Sequence, residues 1–337
     1  MMLATHSFSG ILALLVLSIP TSVFWPYFAG GAALVIGLIG INRRERNHLD
    51  HLRGLSRLTL FGPAFFAVAM AIFGADHLVA PNFVALAVPE WMPWRLFWAY
   101  FVGFALFAGA LSLTTRIKWR LASALLGFMI LMFALMIHLP NFLKDPHDPI
   151  RLTILLRDTC LSAGALALAA SQIGHSKRSS TSWNRATPGP QVITAARFMM
   201  AIPIAVFGID HLFHPTFAPG FPQENAAMFV AMPGWIPAHA LWGYVNAGLF
   251  IACALGLATK RYEALAAQTL GVAALTLVVL VYVPLTITRF SDVADGLNYF
   301  AIHFPLAGAA FMLANAVMAP ARASTSAEEF IRVTQVA

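Results

Sequence analysis

The stretch "AIFGADHLVAP" at residues 71–81 returns as "AVFGIDHLFHP" at 205–215, with seven of its eleven letters unchanged. Each copy closes an apolar run with a carboxylate and an imidazole side by side. A repeated phrase implies a repeated unit, and the register extends outward from it. The phrase aligns at an offset of 134, from 71 to 205. "VPEWMPWRLFWAY" (88–100) then meets "MPGWIPAHALWGY" (232–244) at an offset of 144, because "FAPGFPQENAA" lengthens the second loop. Beyond that point Gly127 meets Gly271, Pro140 meets Pro284, and "SAGAL" (162–166) meets "LAGAA" (306–310) without a gap.

Composition identifies the solvent. The chain is 59% hydrophobic and only 10% charged, with a mean hydropathy of +0.76. A soluble domain carries roughly 25% charged residues, so these values describe a protein that lives in a bilayer. A span of about 20 apolar residues crosses the hydrocarbon core. That ruler predicts spans near 57–78, 95–114, 119–139, 152–173, 195–213, 239–258, 263–284 and 298–318. The apolar run from Phe8 to Ile41 is broken by Pro20 and "FWPYF" (24–28) and reads as a tight two-helix hairpin, with one long kinked helix as the alternative.

The basic residues sort to one side of these spans. Arg43, Arg44, Arg46, Arg53 and Arg57 precede the first main span, and Arg116, Lys118 and Arg120 follow the second. Lys177, Arg178, Arg185 and Arg197 lie between the halves, Lys260 and Arg261 follow the sixth span, and Arg322 and Arg332 lie in the tail. The positive-inside rule makes that side cytoplasmic. The net charge of +7 therefore reports topology and not nucleic-acid binding. Four spans per unit is an even number, so both units face the same way and the repeats are parallel. The expected fold is all-α and polytopic: two parallel four-helix bundles plus an N-terminal membrane hairpin. Its parts are the hairpin and basic loop (1–56), a first module (57–174), a polar linker (175–194), a second module (195–319) and a cytoplasmic tail (320–337).

The string F-G-x-D-H-L, then P-x-W-x-P-x4-W-x-Y, then "MIHLP" (136–140), resembles the DoxX-like family of small bacterial membrane proteins. The resemblance covers roughly residues 57–318 and implies two four-helix modules fused in tandem in a bacterial inner membrane. It also implies an association with quinone-linked redox complexes, with no activity established for most members. In single-module relatives the third helix commonly ends in a H-x-P-like phrase, matched here by His138-Leu139-Pro140. The second half departs from it with Tyr282-Val283-Pro284.

The candidate ligand-binding residues gather toward the outer ends of the spans. Asp76 and Asp210 sit in the last turn of their helices, where the macrodipole disfavours a carboxylate, so each is expected to have a partner. The adjacent imidazole, Arg157 and Arg289 are the candidates. His77 and His211 follow their acids by one position, about 100° around the helix, which makes a chelate from one phrase poor. Arg157 and Asp158 lie inside the fourth span, where charge is rare and is usually paired. Their counterparts Ala301 and Ile302 are neutral, and His303, aligned with Thr159, supplies the polar group of the second unit. A salt bridge that merely locks helices is the plainer reading of the pair. A metal would need His138 or His147 with Asp145 or Asp148 of "KDPHDP" (144–149), a stretch that also makes an ordinary turn. A haem between His77 and His138 is disfavoured, because Tyr282 replaces one ligand in the other unit.

Trp91, Trp98, Tyr100, Trp235, Trp242 and Tyr244 read as an interfacial aromatic belt, with a lid over a flat hydrophobic ligand as the alternative. "NFVALAV" and "AAMFVAM" are expected to lie along the membrane surface. Cys160 and Cys253 sit in different spans and read as small core residues. No Walker loop, G-x-G-x-x-G after a strand, H-E-x-x-H or G-x-S-x-G occurs. The reading is an accessory membrane protein without catalysis of its own, binding a small lipophilic molecule, a quinone among the candidates, beside a membrane redox partner. The alternatives are a small-molecule or proton-coupled transporter, which the scarcity of deep polar groups other than Asn246 weakens, and a structural or assembly factor.

Overall fold

The computed structural model describes residues 20–44, 52, 54–171, 189–217, 232–289 and 297–336. All regular structure among them is helical. Nine helices among the described residues are long and apolar enough to cross a membrane, so the chain is a membrane-embedded protein. In lipid each backbone N–H and C=O must find its partner within the chain, and a helix provides this locally. The spans are built on α1 (Thr21–Arg44), α2 (Gly62–Val79), α3 (Arg95–Thr115), α4 (Trp119–Phe133), α5 (Pro149–Ser171), α6 (Gly189–Phe213), α7 (His239–Ala258), α8 (Glu263–Leu277) and α9 (Asn298–Val336), and those of α4 and α8 continue helically to Lys144 and Thr288. A 3-10 turn over Gly54–Phe61 leads into α2.

The first arm of the expected N-terminal hairpin lies outside the described residues, and α1 is a single span with Pro26 inside it. Trp25 and Tyr27 are therefore helical, where a turn had been expected. α6 begins at Gly189, inside the stretch read as linker, and the backbone of α9 stays helical to Val336, through the stretch read as tail.

Successive spans alternate in direction. Arg57, Arg116, Lys118, Arg120, Lys260 and Arg261 therefore collect at one end, called here the basic end. Asp76, His77, Asp145, Asp148, Asp210 and His211 collect at the other. The loop joints at that other end repeat their geometry as well as their letters. Met92 N–H donates to Pro89 O at 3.0 Å, and Ile236 N–H donates to Pro233 O at 3.0 Å. Trp94 and Ala238, matched in the repeat, both enter the next helix with a left-handed backbone (φ 56° and 55°). A non-glycine residue there costs about 1 kcal/mol, so keeping it twice marks a joint whose exit angle matters.

The two units are not the self-contained bundles expected. Within each, consecutive helices pack: α2 on α3, α3 on α4 and α4 on α5, then α6 on α7, α7 on α8 and α8 on α9. The fourth helix of each unit, however, packs against the first helix of the other: α9 on α2, and α5 on α6. Eight helices thus close a ring, and α5 meets α9 across its middle. Small residues make the exchange possible. A Cβ on Gly164 would stand 2.5 Å from Ala309 Cα, and one on Gly308 would stand 2.6 Å from Phe66 N. Without a hydrophobic drive between helices in lipid, such close backbone approach supplies the association. α1 lies outside the ring in the groove between α2 and α3.

Polar locks hold the basic end. Arg197, grouped by sequence with the basic residues between the halves, is buried inside α6: its Nη1 contacts Glu263 Oε2 at 2.8 Å, and its Nε donates to Leu257 O at 3.0 Å. In the first unit the corresponding joint is tied in the opposite sense. There Arg116 on the α3–α4 turn donates to Leu60 O at 2.8 Å.

Gly164→Leu is expected to lower stability by about 1–3 kcal/mol or more, because the added side chain meets backbone that cannot yield. Gly248→Leu, which points into open space, should leave it unchanged. Thermal unfolding in detergent checks both. Chains cut within 172–188 and co-expressed should co-purify as a pair, since each half supplies a helix to the other.

Candidate functional site

The third helix of each unit changes pitch at the same place. α4 passes into a π-helical turn over Ala134–His138, and α8 into one over Val278–Tyr282. Leu139 N–H bonds to Ala134 O, and Val283 N–H to Val278 O, each reaching back five residues. Pro140 and Pro284 follow at once. Proline lacks the N–H that an α ladder requires and its ring crowds the preceding turn, so a wider turn relieves both problems. The extra residue also shifts the phase of the helix, which sets His138 and Tyr282 against the fourth helix of their own unit.

In the first unit this builds a charged triad. His138 Nε2 stands 3.2 Å from Asp158 Oδ2, and Arg157 Nε donates to Asp158 Oδ1 at 3.0 Å. Asp158 is buried, and the side chains of Arg157 and His138 keep 17% and 22% exposure. α5 begins at Pro149, which places Asp158 about 13 Å along the helix, at 1.5 Å per residue, and deeper than the expected span start implied. A carboxylate can only accept, so the Nε2 contact puts an imidazole proton on Nε2. Among the described residues, the terminal guanidinium nitrogens of Arg157 make no other protein hydrogen bond. The triad can therefore offer the remaining Arg157 N–H donors to one small polar group.

The second unit replaces charge with aromatic contact. Tyr282 and His303 stack with ring centroids 3.9 Å apart and planes 13° from parallel, and both are almost fully buried. The matched positions thus carry two different environments.

The acid–imidazole phrases do not join the triad. Arg157 pairs with Asp158 and not with Asp76. Among the described residues, Asp76 has no hydrogen-bond or ionic partner for its carboxylate, so the expected partners Arg157 and His77 are corrected. Its neighbour His77 turns Nδ1 to Phe73 O at 2.7 Å, and its Cβ packs over Gly103. Asp210 meets His214, one helical turn on, at 3.9 Å, while His211 is buried against α7 near Phe250. The helical offset explains this: a residue one position on points elsewhere, and the one four positions on shares the face.

"KDPHDP" is a capped turn. Asp148 Oδ1 accepts from Ile150 N–H at 2.9 Å, Asp148 Oδ2 holds Arg151 Nε at 2.9 Å, and Asp145 Oδ1 accepts from His147 N–H. This is the N-cap of α5, with Pro149 opening the helix. Trp91, Tyr100, Trp235, Trp242 and Tyr244 are exposed on the surface, as a belt requires, while Trp98 donates from Nε1 to Pro93 O at 3.0 Å. Phe83 and Leu86 of "NFVALAV" are exposed on short helical turns, while most of "AAMFVAM" lies outside the described residues. Cys160 and Cys253 are buried in different helices.

Sequence reading missed the π turns and the buried Arg197. The prolines and the apolar run around "AARFMM" were the available signals. Comparison with family models, with characterised proteins and with solved structures finds no match.

Asp158→Ala should destabilise the chain by about 1–3 kcal/mol, because it leaves two partly buried basic groups without the carboxylate that holds them. Combining it with Arg157→Met should recover part of that loss, and a double-mutant cycle on unfolding free energies measures the coupling.

Proposed function

We propose that the chain is a multi-pass inner-membrane protein of the DoxX-like type whose basic end is cytoplasmic. In this reading it binds a small lipophilic molecule, such as a quinone, at the outward side of the first unit. It serves a membrane redox complex as an accessory and has no catalysis of its own. The observation that carries the reading is the His138–Asp158–Arg157 triad. Membrane helices rarely hold charge at this depth unless it does work, and here a single carboxylate orients two partly exposed basic groups. Arg157 suits a carbonyl or other oxygen acceptor, and a quinone headgroup presents one. The second unit, with Tyr282 against His303, keeps the scaffold while offering a site of different preference.

Titration of a short-chain benzoquinone into the detergent-solubilised protein tests this. His138→Ala and Arg157→Gln should each weaken binding about tenfold or more, equivalent to about 1.4 kcal/mol. Tyr282→Phe should leave it unchanged. An affinity indifferent to His138 and Arg157 contradicts the site. Faster quinone reduction than in buffer, by the purified protein with a soluble reductant, contradicts the accessory role.

A further inference from the structure

We infer that the cleft between α1, α2 and α3 lodges one hydrocarbon chain of a bilayer phospholipid. The cleft has a volume of about 520 Å3, and it runs along α1 from Trp25 to Ile36 over a floor that includes Ala71, Ala75 and Ala110. The eleven steps from Trp25 to Ile36 rise about 16 Å along the helix, roughly half of the hydrocarbon core. The space therefore runs along the helix axis, the direction in which lipid chains lie.

The space does not come from a loosely seated helix. On the adjoining face α1 is drawn against its neighbours as closely as it can be. A Cβ on Gly30 would stand 2.7 Å from Ile72 Cγ1, one on Gly37 would stand 2.7 Å from Ala64 Cβ, and one on Gly40 would stand 2.7 Å from Thr114 O. The gap lies one face round the helix, beside Ala29, Ala32 and Ala33. The repeat shows that the small residues are a departure. Ala64, Ala75 and Val79 correspond to Phe198, Ile209 and Phe213, which fill the matching surface of the second unit with bulk.

The lining decides the occupant. Water in a cavity needs 2–4 polar partners. The one hydroxyl here, Thr114 Oγ1, already donates to Ala110 O at 2.9 Å. An empty cleft would forfeit dispersion contacts on every wall. A hydrocarbon chain satisfies it, with the polar head of its lipid left at the interface beside Trp25.

Native mass spectrometry of the full chain released from nanodiscs of monounsaturated phosphatidylglycerol tests the assignment. The wild type should retain one phospholipid per chain, and Ala32→Phe with Ala75→Leu should retain at least tenfold less. His138→Ala should keep the lipid, which separates this cleft from the quinone site. No retained lipid in the wild type, or equal retention in the filled variant, overturns the inference. A photoreactive diazirine residue at position 32 in the otherwise unaltered chain gives a reading that does not depend on the filled variant folding. An adduct on acyl carbon supports the cleft as a chain site, and an adduct on protein alone, or none, overturns it.

Discussion

The approach of α5 to α9, with Gly164 lying on Ala309, is the contact on which the rest of the molecule depends. Lipid gives two helices little hydrophobic reason to associate, so the contact is made by shape, and shape here needs the absence of a side chain. Because α5 and α9 meet in the middle, each is free to pack on the opening helix of the other unit. That exchange converts two repeats into one closed ring. Ser162 adds a polar tie at the same level, donating to Gly127 O at 2.8 Å and pinning α5 to α4.

The polar site follows from the same arrangement. With α5 held on α4, α6 and α9, its buried Asp158 has one direction left in which to find partners, toward the π turn that carries His138. Proline at 140 makes that turn, and proline at 284 makes its twin, yet the second unit carries Ile302 where the first has Asp158. One scaffold thus supports a charged site and an aromatic one. Divergence after duplication altered the side chains and left the backbone device in place.

Much of this was legible in the letters. The spans, the alternation of direction and the segregation of basic residues follow from composition and spacing, and the parallel repeat follows from counting spans. Arg157 and Asp158 were visible as charge where lipid tolerates little. Other features were hidden for physical reasons. The π turns depend on how a proline's missing donor is absorbed, which the sequence marks only as "HLP" and "VP". The exchange of fourth helices cannot be read from periodicity, because a helix buried on all sides has no polar face to show which neighbour it prefers. Arg197 was misplaced because a cation beside a polar linker looks solvated until the carbonyls at the end of α7 and Glu263 are seen around it. The doubled Asp-His phrase that revealed the repeat contributes less to the candidate site than its prominence implied.

Access to the triad from one side of the membrane is the central functional claim. Cysteine labelling tests it most directly. In a background carrying Cys160→Ala and Cys253→Ala, a membrane-impermeant maleimide should label His138→Cys in right-side-out vesicles and Lys260→Cys in inside-out vesicles. The reverse pattern, or labelling of both positions from the same side, would contradict the account.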